Sequence, residues 1–165
     1  GGIGGSSSSS EHHHLLAIVN EERLPRLLAY LFDENEFLSE FGIRSLSKYH
    51  DRHPFTLGDQ TIAYVPGDSN TGMYGGNSNW RGPIWFPTTF LIIEALEHLG
   101  HFYGERMKFH FPTNDAKSPK LTLGEIALKV CERMLNLFLP AADGSGRPCH
   151  GGDEKFRDDK HWKKF

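Results

Sequence analysis

The sequence has little cysteine, almost no net charge and no long apolar run, and each shortage excludes a class of protein. Two cysteines, Cys131 and Cys149, are too few for a disulfide framework. A net charge of −3 does not suit a nucleic-acid binder, which concentrates positive charge on one face. No apolar stretch approaches the roughly 20 residues of a membrane-spanning helix. We therefore expect neither a nucleic-acid partner nor a membrane.

The N-terminal segment, residues 1–13, also lacks the features of a secretory signal. It begins with Gly/Ser-rich low-complexity sequence and has no basic region followed by an apolar one. This composition is typical of a flexible linker. We predict a linker over 1–13, one domain over 14–165 and a cytoplasmic location.

Three segments have the apolar period of an α-helix. The first is predicted over about 21–33, with one apolar face. The second, about 84–103, is apolar on most sides and should be surrounded by other elements. The third begins with Thr122-Leu-Gly-Glu125, which has the capping-box pattern, and Pro140 should end it. Because two one-faced helices cannot enclose the second, we expect its other neighbours to come from more polypeptide.

Residues 50–82 contain many glycines and prolines and no convincing helical period. Such a long loop inside a compact domain is normally functional or disordered. Its tyrosines, methionine and tryptophan are not typical of a disordered tail. We therefore predict an ordered, functional loop, followed by the start of the second helix.

The segment Asn77-Ser-Asn-Trp-Arg-Gly-Pro-Ile-Trp85 combines aromatic and polar groups in a way that suits a sugar. Indole faces pack against the C–H faces of a sugar ring, while amide and guanidinium groups bond its hydroxyls. Pro83 suits the first turn of a helix, where its missing N–H costs nothing. An alternative, which composition leaves open, is a structural turn whose tryptophans plug the helix start against the core.

Two motifs resemble glycoside hydrolase family 63. Asn79-Trp-Arg-Gly-Pro-Ile-Trp85 is similar to the Tyr/Asn-Trp-Arg-Gly-Pro-aliphatic-Trp signature of that family. Phe41-Gly-Ile-Arg-Ser-Leu-Ser47 is similar to a second element upstream of it. The resemblance extends over roughly 16–165 and identifies the chain as a C-terminal portion of such an enzyme. The family includes processing α-glucosidase I and bacterial mannosylglycerate hydrolases.

The resemblance implies an all-α fold, part of an (α/α)6 barrel of the six-hairpin glycosidase type with long ordered loops. It implies an inverting mechanism, in which an acid protonates the leaving oxygen and a carboxylate activates water from the opposite face. No residue of this chain maps onto either catalytic carboxylate, so the isolated chain should be inactive. Trp80 and Trp85 resemble the aromatic walls of the subsite, and Arg81 and Gly82 its positioning residues. The predicted substrate-binding residues are Asp68, Asn79, Trp80, Arg81, Gly82 and Trp85.

The implied partners are an oligosaccharide or small glycoside and the remainder of the same polypeptide. We expect no cofactor, and the spacing of Cys149, His150 and His161 does not fit a structural zinc site. A hypothesis of another class uses the same tryptophans in a non-catalytic carbohydrate-binding or scaffold module.

Overall fold

The computed structural model of the protein describes residues 14–68 and 70–164, so the linker predicted over 1–13 lies outside the described residues. The described chain contains four α-helices, of which the last has a single turn. These are α1 Leu24–Leu31, α2 Phe86–Tyr103, α3 Leu123–Asn136 and α4 Glu154–Asp158. No helix within the described ranges is both long and apolar enough to cross a membrane.

Three antiparallel sheets of two strands each accompany the helices in the described chain. In the first, Leu38 lies opposite Ile43; in the second, Phe55 opposite Ile62; in the third, Lys108 opposite Thr122. The strands are β1 Leu38–Ser39, β2 Gly42–Ile43, β3 Phe55–Leu57, β4 Gln60–Ile62, β5 Lys108–His110 and β6 Lys120–Thr122.

These sheets contradict the prediction of an all-α fold: helices and small sheets are mixed along the chain. The segment 37–49, which lies outside the three predicted helices, contains the first of these hairpins. Neighbouring extended segments satisfy their backbone N–H and C=O groups by pairing with each other. Strands of two or three residues are too short to leave a period-two pattern in the sequence. An (α/α)6 architecture inferred from resemblance is therefore wrong for the described residues.

All three predicted helices are present, with shorter bounds than their apolar periods indicated. α2 begins at Phe86 rather than Ile84, and Pro87 occupies its first turn in place of Pro83. The cause is a tertiary contact, because an antiparallel bridge to Arg44 keeps Ile84 extended. The capping box that opens α3 is formed as predicted.

The core lies where α2 and α3 pack against α1 and the first and third sheets. A Cβ on Gly100 of α2 would lie 2.7 Å from the backbone nitrogen of Gly124, so the helices approach closely there. The fully buried Phe32 ring makes edge-to-face contacts with Phe109 and Phe111, at centroid distances of 6.0 and 5.6 Å. This core holds the end of β2 against the start of α2.

The prediction that α2 is surrounded holds on one side only in the described chain. Thr89, Ile93 and Leu96 are buried, whereas the polar stripe of Glu94, Glu97, His98 and His101 is exposed. Apolar residues between α2 and α3 line an open groove of about 800 Å³, here named the α2–α3 groove. Its lining residues are Phe86, Pro87, Phe90, Leu91, Ile93, Cys131, Met134, Leu135 and Phe138.

Candidate functional site

Three aromatic side chains cluster just before α2. The ring of Trp80 lies edge-on to that of Trp85, with a centroid distance of 4.4 Å and an angle of 65°. The Tyr74 ring also lies beside Trp80, with a centroid distance of 6.1 Å and an angle of 34° between the rings. Tyr74 is 46% exposed and Trp80 49% exposed, whereas Trp85 is half-buried. We name these three residues the aromatic platform.

Two tight turns bring the platform together. Tyr74 has a φ of 53°, a left-handed conformation that is uncommon for a residue with a side chain. A 3₁₀ turn over Ser78–Arg81 follows, and the Asn77 side chain caps it by accepting a hydrogen bond from the Asn79 N–H at 3.0 Å. The turn sends Trp80 outward, while the next residue, Arg81, is buried.

Ser45, two residues after the end of β2, fixes the backbone of this turn. Its hydroxyl donates to the carbonyl of Asn79 and lies 3.3 Å from the carbonyl oxygen of Pro83. The N–H of Gly82 donates to the same hydroxyl oxygen at 3.3 Å. One side chain thus joins three points on the segment between Trp80 and Trp85, which sets the distance between the two indoles.

Arg44 anchors the segment after β2 that carries Ser45. Its terminal nitrogen Nη1 donates to the carbonyl oxygens of Glu34 and Glu36, each at 3.1 Å, and to that of Leu38. Its Nε donates to the Tyr64 hydroxyl at 3.1 Å. Nη1 carries two N–H groups, which the three carbonyl oxygens share, and the separate Nε–H group serves the Tyr64 hydroxyl. Arg44 therefore links the chain after α1 to the loop that precedes the platform.

Arg81 turns away from the platform and holds the loop before it. The side chain is 2% exposed, and its Nη1 donates to the Asn70 amide oxygen at 3.0 Å and the Thr71 hydroxyl at 3.2 Å. Its carbonyl oxygen accepts a hydrogen bond from the Val65 N–H at 2.6 Å. The resemblance gave Arg81 a positioning role in the sugar subsite; in the structure its contacts hold Val65, Asn70 and Thr71 of the preceding loop.

Comparisons with known proteins identify the family of this chain. The family described as "Glycosyl hydrolase family 63 C-terminal domain" matches residues 13–111, a range that includes both Ser45 and the platform. The chain belongs to glycoside hydrolase family 63. No solved structure matches it.

Two curated relatives match this family 63 chain. An uncharacterized protein of Saccharomyces cerevisiae is 49% identical over 142 residues, which cover 84% of this chain and 13% of that protein. A probable mannosyl-oligosaccharide glucosidase of Schizosaccharomyces pombe is 36% identical over 75 residues, which cover 45% of this chain and 7% of that protein. The chain therefore spans only a small part of the length of these relatives.

Not all of the predicted site residues of this family 63 chain contact the platform. Trp80 and Trp85 touch each other, and Asn79 is half-buried in the same turn. Asp68 is exposed, and no contact in the described chain joins it to the three rings. None of the described contacts of Tyr74, Trp80 or Trp85 involves a carboxylate. No group of metal-ligating side chains occurs among the described residues.

Four residues that position the site were not selected from the sequence: Tyr74, Ser45, Arg44 and Tyr64. A hint was available for Tyr74, because an aromatic residue beside Gly75-Gly76 indicates a turn with an exposed ring. Ser45 and Arg44 belong to the upstream motif, Phe41–Ser47, but the sequence resemblance assigned neither residue a role. Nothing local to Tyr64 indicates that it packs against a glycine 18 residues later, since that contact is tertiary.

Proposed function

We propose that this chain supplies the sugar-binding wall of an α-glucosidase-like family 63 glycosidase. The observation that carries the proposal is the aromatic platform, in which Tyr74 and Trp80 are half-exposed although they are large and apolar. Exposed aromatic rings grouped at one place mark a binding surface, and indoles suit the C–H face of a sugar. The half-buried amide of Asn79 lies in the same turn and offers a donor and an acceptor for hydroxyls.

The chemistry of hydrolysis is assigned to another part of the parent polypeptide. An inverting glycosidase needs two carboxyl groups roughly 6.5–9.5 Å apart, one on each side of the scissile bond. The described contacts of the platform provide no carboxylate. We expect the isolated chain to bind a glucoside without cleaving it.

We also assign the α2–α3 groove to an amphipathic helix from elsewhere in the parent polypeptide. The groove is lined almost entirely by apolar side chains, of which Phe90 is 58% and Leu91 66% exposed. Exposed apolar surface of this extent marks a contact with another element. The covering helix could come from the rest of a longer polypeptide, since this chain matches only 13% and 7% of the lengths of its curated relatives.

The binding proposal is tested by fluorescence in a Trp162→Phe background. The chain has three tryptophans, so this change leaves only Trp80 and Trp85 as reporters. Addition of maltose should give a saturable change in indole emission, and a further Tyr74→Ala change should weaken it because one ring of the platform is lost. Tyr30→Ala, which removes a ring that is 60% exposed elsewhere on the surface, is the matched control. No saturable response in the folded background protein would contradict the proposal.

The rival function, a non-catalytic carbohydrate-binding or scaffold module, uses the same platform and predicts the same titration. The two differ in the full-length parent protein. A glycosidase should release glucose from α-linked disaccharides, and Trp80→Ala in the parent should reduce that rate. Sugar binding with no hydrolysis by the intact parent would favour the rival.

A further inference from the structure

A second cleft lies beyond the C-terminal end of α3, between the segment that follows this helix and α4. Its volume is about 230 Å³. Both aromatic and charged side chains line it, and none of them belongs to the aromatic platform. The side chains that matter for its chemistry are Arg147, His150, Phe156, Arg157, Asp158 and Trp162. We name this feature the C-terminal cleft.

Three rings form one wall of the C-terminal cleft. Trp162 lies edge-on to Phe156, with a centroid distance of 5.4 Å and an angle of 83°. His150 lies 5.2 Å from Phe156 and 6.2 Å from Trp162. Trp162 remains 41% exposed, so an indole surface is available to a ligand. The wall therefore offers the flat apolar surface against which a sugar ring packs.

The Arg157 guanidinium in the cleft is paired with neighbouring carboxylates. Arg157 donates from Nε to one carboxylate oxygen of Asp158 at 3.1 Å and from Nη2 to the other at 3.0 Å. The Glu154 carboxylate lies 3.6 Å from the same Nη2. The pKa of Arg157 is raised by its hydrogen bonds to Asp158, which keeps the guanidinium charged and paired. A neutral ligand needs no counter-charge in this environment, whereas an anion would meet the Asp158 carboxylate that lines the cleft.

Hydrogen-bonding capacity remains in the cleft after these pairs are made. The bonds that the described residues give Arg157 use Nε and Nη2, which leaves the donors of Nη1 for a ligand hydroxyl. His150 contacts its neighbours through its ring faces and edges, and its ring nitrogens make no hydrogen bond within the described chain. Donors and acceptors beside an indole match the hydroxyl groups of a sugar.

The cleft is tied to the rest of the fold rather than loosely attached. Arg147 donates to the carbonyl oxygen of Phe138 at 2.6 Å, and the Cys149 N–H donates to that of Leu137 at 2.9 Å. The Phe138 ring lies 5.6 Å from that of Phe86, which directly follows Trp85 of the platform. The cleft and the platform therefore flank the same end of the α2–α3 pair.

We propose that the C-terminal cleft is a second carbohydrate site, which binds one neutral hexose ring against Trp162. A volume of about 230 Å³ is below the roughly 300–1,000 Å³ of pockets for drug-sized ligands and suits a single small ring. The site stands on its own residues and does not depend on the function proposed for the platform.

The tryptophan count allows a direct test. In the Trp80→Phe/Trp85→Phe double variant, Trp162 is the only indole left in the chain. Titration with methyl α-D-glucopyranoside should then give a saturable change in emission. Adding Arg157→Ala should weaken the apparent affinity by roughly tenfold or more, the usual consequence of losing a charged hydrogen-bond donor. Lys160→Ala, an exposed change outside the cleft, should leave it unaltered.

Circular dichroism shows whether each variant is folded. If Arg157→Ala is unfolded, Arg157→Lys is used in its place, because lysine keeps the positive charge but lacks the planar guanidinium group. A folded double variant whose emission does not respond to the glucoside overturns the proposal. A response to sodium phosphate without one to the glucoside also overturns it, because the cleft would then be an anion site. Binding at the platform is measured separately in the Trp162→Phe chain, so a negative result for one proposed site does not affect the test of the other.

Discussion

Gly82 packs directly against the ring of Tyr64, and no side chain could fit between them. A Cβ placed on Gly82 would overlap two carbons of that ring, and the φ of Gly82 is +128°. The Tyr64 hydroxyl in turn accepts a hydrogen bond from Arg44. These two contacts connect Gly82 through Tyr64 to Arg44, the neighbour of Ser45, and the packing against Tyr64 depends on the absence of a side chain at position 82.

Gly82→Ala should destabilise the chain and disturb the platform together. Overlap with Tyr64 and the positive φ each cost about 1–3 kcal/mol in the free energy of unfolding. Gly67→Ala is the control, since Gly67 has a φ of +93° but open space where its Cβ would lie. Urea unfolding should show a larger loss for Gly82→Ala. Equal losses in the two variants would mean that Tyr64 moves aside at little cost.

Arg44→Lys should lower the free energy of unfolding by about 1–3 kcal/mol, although the charge is kept. An ammonium group at the place of Nη1 could still donate to the carbonyl oxygens, but it has no second nitrogen at the place of Nε for the Tyr64 hydroxyl. The control is Arg52→Lys, at an exposed position whose side chain makes no hydrogen bond in the described chain. A small and equal change in the free energy of unfolding of both variants would show that Arg44 does not anchor the segment that carries Ser45.

Trp80→Ala should abolish the response of a Trp162→Phe chain to maltose but change its stability by only about 1 kcal/mol or less, because the side chain is half-exposed. Leu96→Ala, in the core at 1% exposure, should cost about 2–5 kcal/mol. Thermal and urea unfolding separate the two effects. A loss for Trp80→Ala as large as that for Leu96→Ala would support the alternative of a structural plug.

The capping box of α3 should make stability depend on pH through Glu125. Hydrogen bonds from the backbone N–H of Thr122, at 2.8 Å, and from its hydroxyl, at 3.0 Å, lower the pKa of Glu125 below its ordinary 4.5. The carboxylate therefore stabilises the folded state above the ordinary pKa, and this contribution is lost as pH falls through the lowered value.

Glu125→Ala should accordingly unfold at lower urea concentration than the parent chain at pH 7, and the difference should shrink below pH 4.5. Thr122→Ala removes the partner side chain and should cost about 1 kcal/mol at pH 7. The double variant should lose less than the sum of the single losses, because the two residues share hydrogen bonds. A difference that stays constant from pH 7 to pH 3 would contradict this account.

Leu91→Glu tests whether the α2–α3 groove is a contact surface. The side chain is 66% exposed, so the change should leave stability within about 0.5 kcal/mol while reducing the binding of a hydrophobic fluorescent dye. Leu128→Glu, at 60% exposure on α3 but outside the groove, should not reduce dye binding.

In the full-length parent, Leu91→Glu should lower the melting temperature more than Leu128→Glu. A charge placed under a covering helix has no compensating partner, whereas a charge on an open surface stays hydrated. Equal melting temperatures of the two parent variants would show that no segment of the parent polypeptide covers the groove.

The sequence by itself determined the features that depend on neighbours along the chain. The periods of the apolar residues located α1, α2 and α3, and Thr122-Leu-Gly-Glu125 specified the cap of α3 through bonds within one turn. The spacing of Trp80 and Trp85 located the candidate site, and the motif at 79–85 identified the family that residues 13–111 match.

Tertiary contacts decided the rest, because their partners lie far apart in the sequence. The bridge from Arg44 to Ile84 delayed the start of α2, and short hairpins replaced what the resemblance implied would be helices alone. Ser45, more than 30 residues upstream, sets the backbone between the two indoles. The same 3₁₀ turn buries Arg81 and exposes Trp80. Residue type does not specify this difference, whereas the tertiary contacts of Arg81 with Asn70 and Thr71 do.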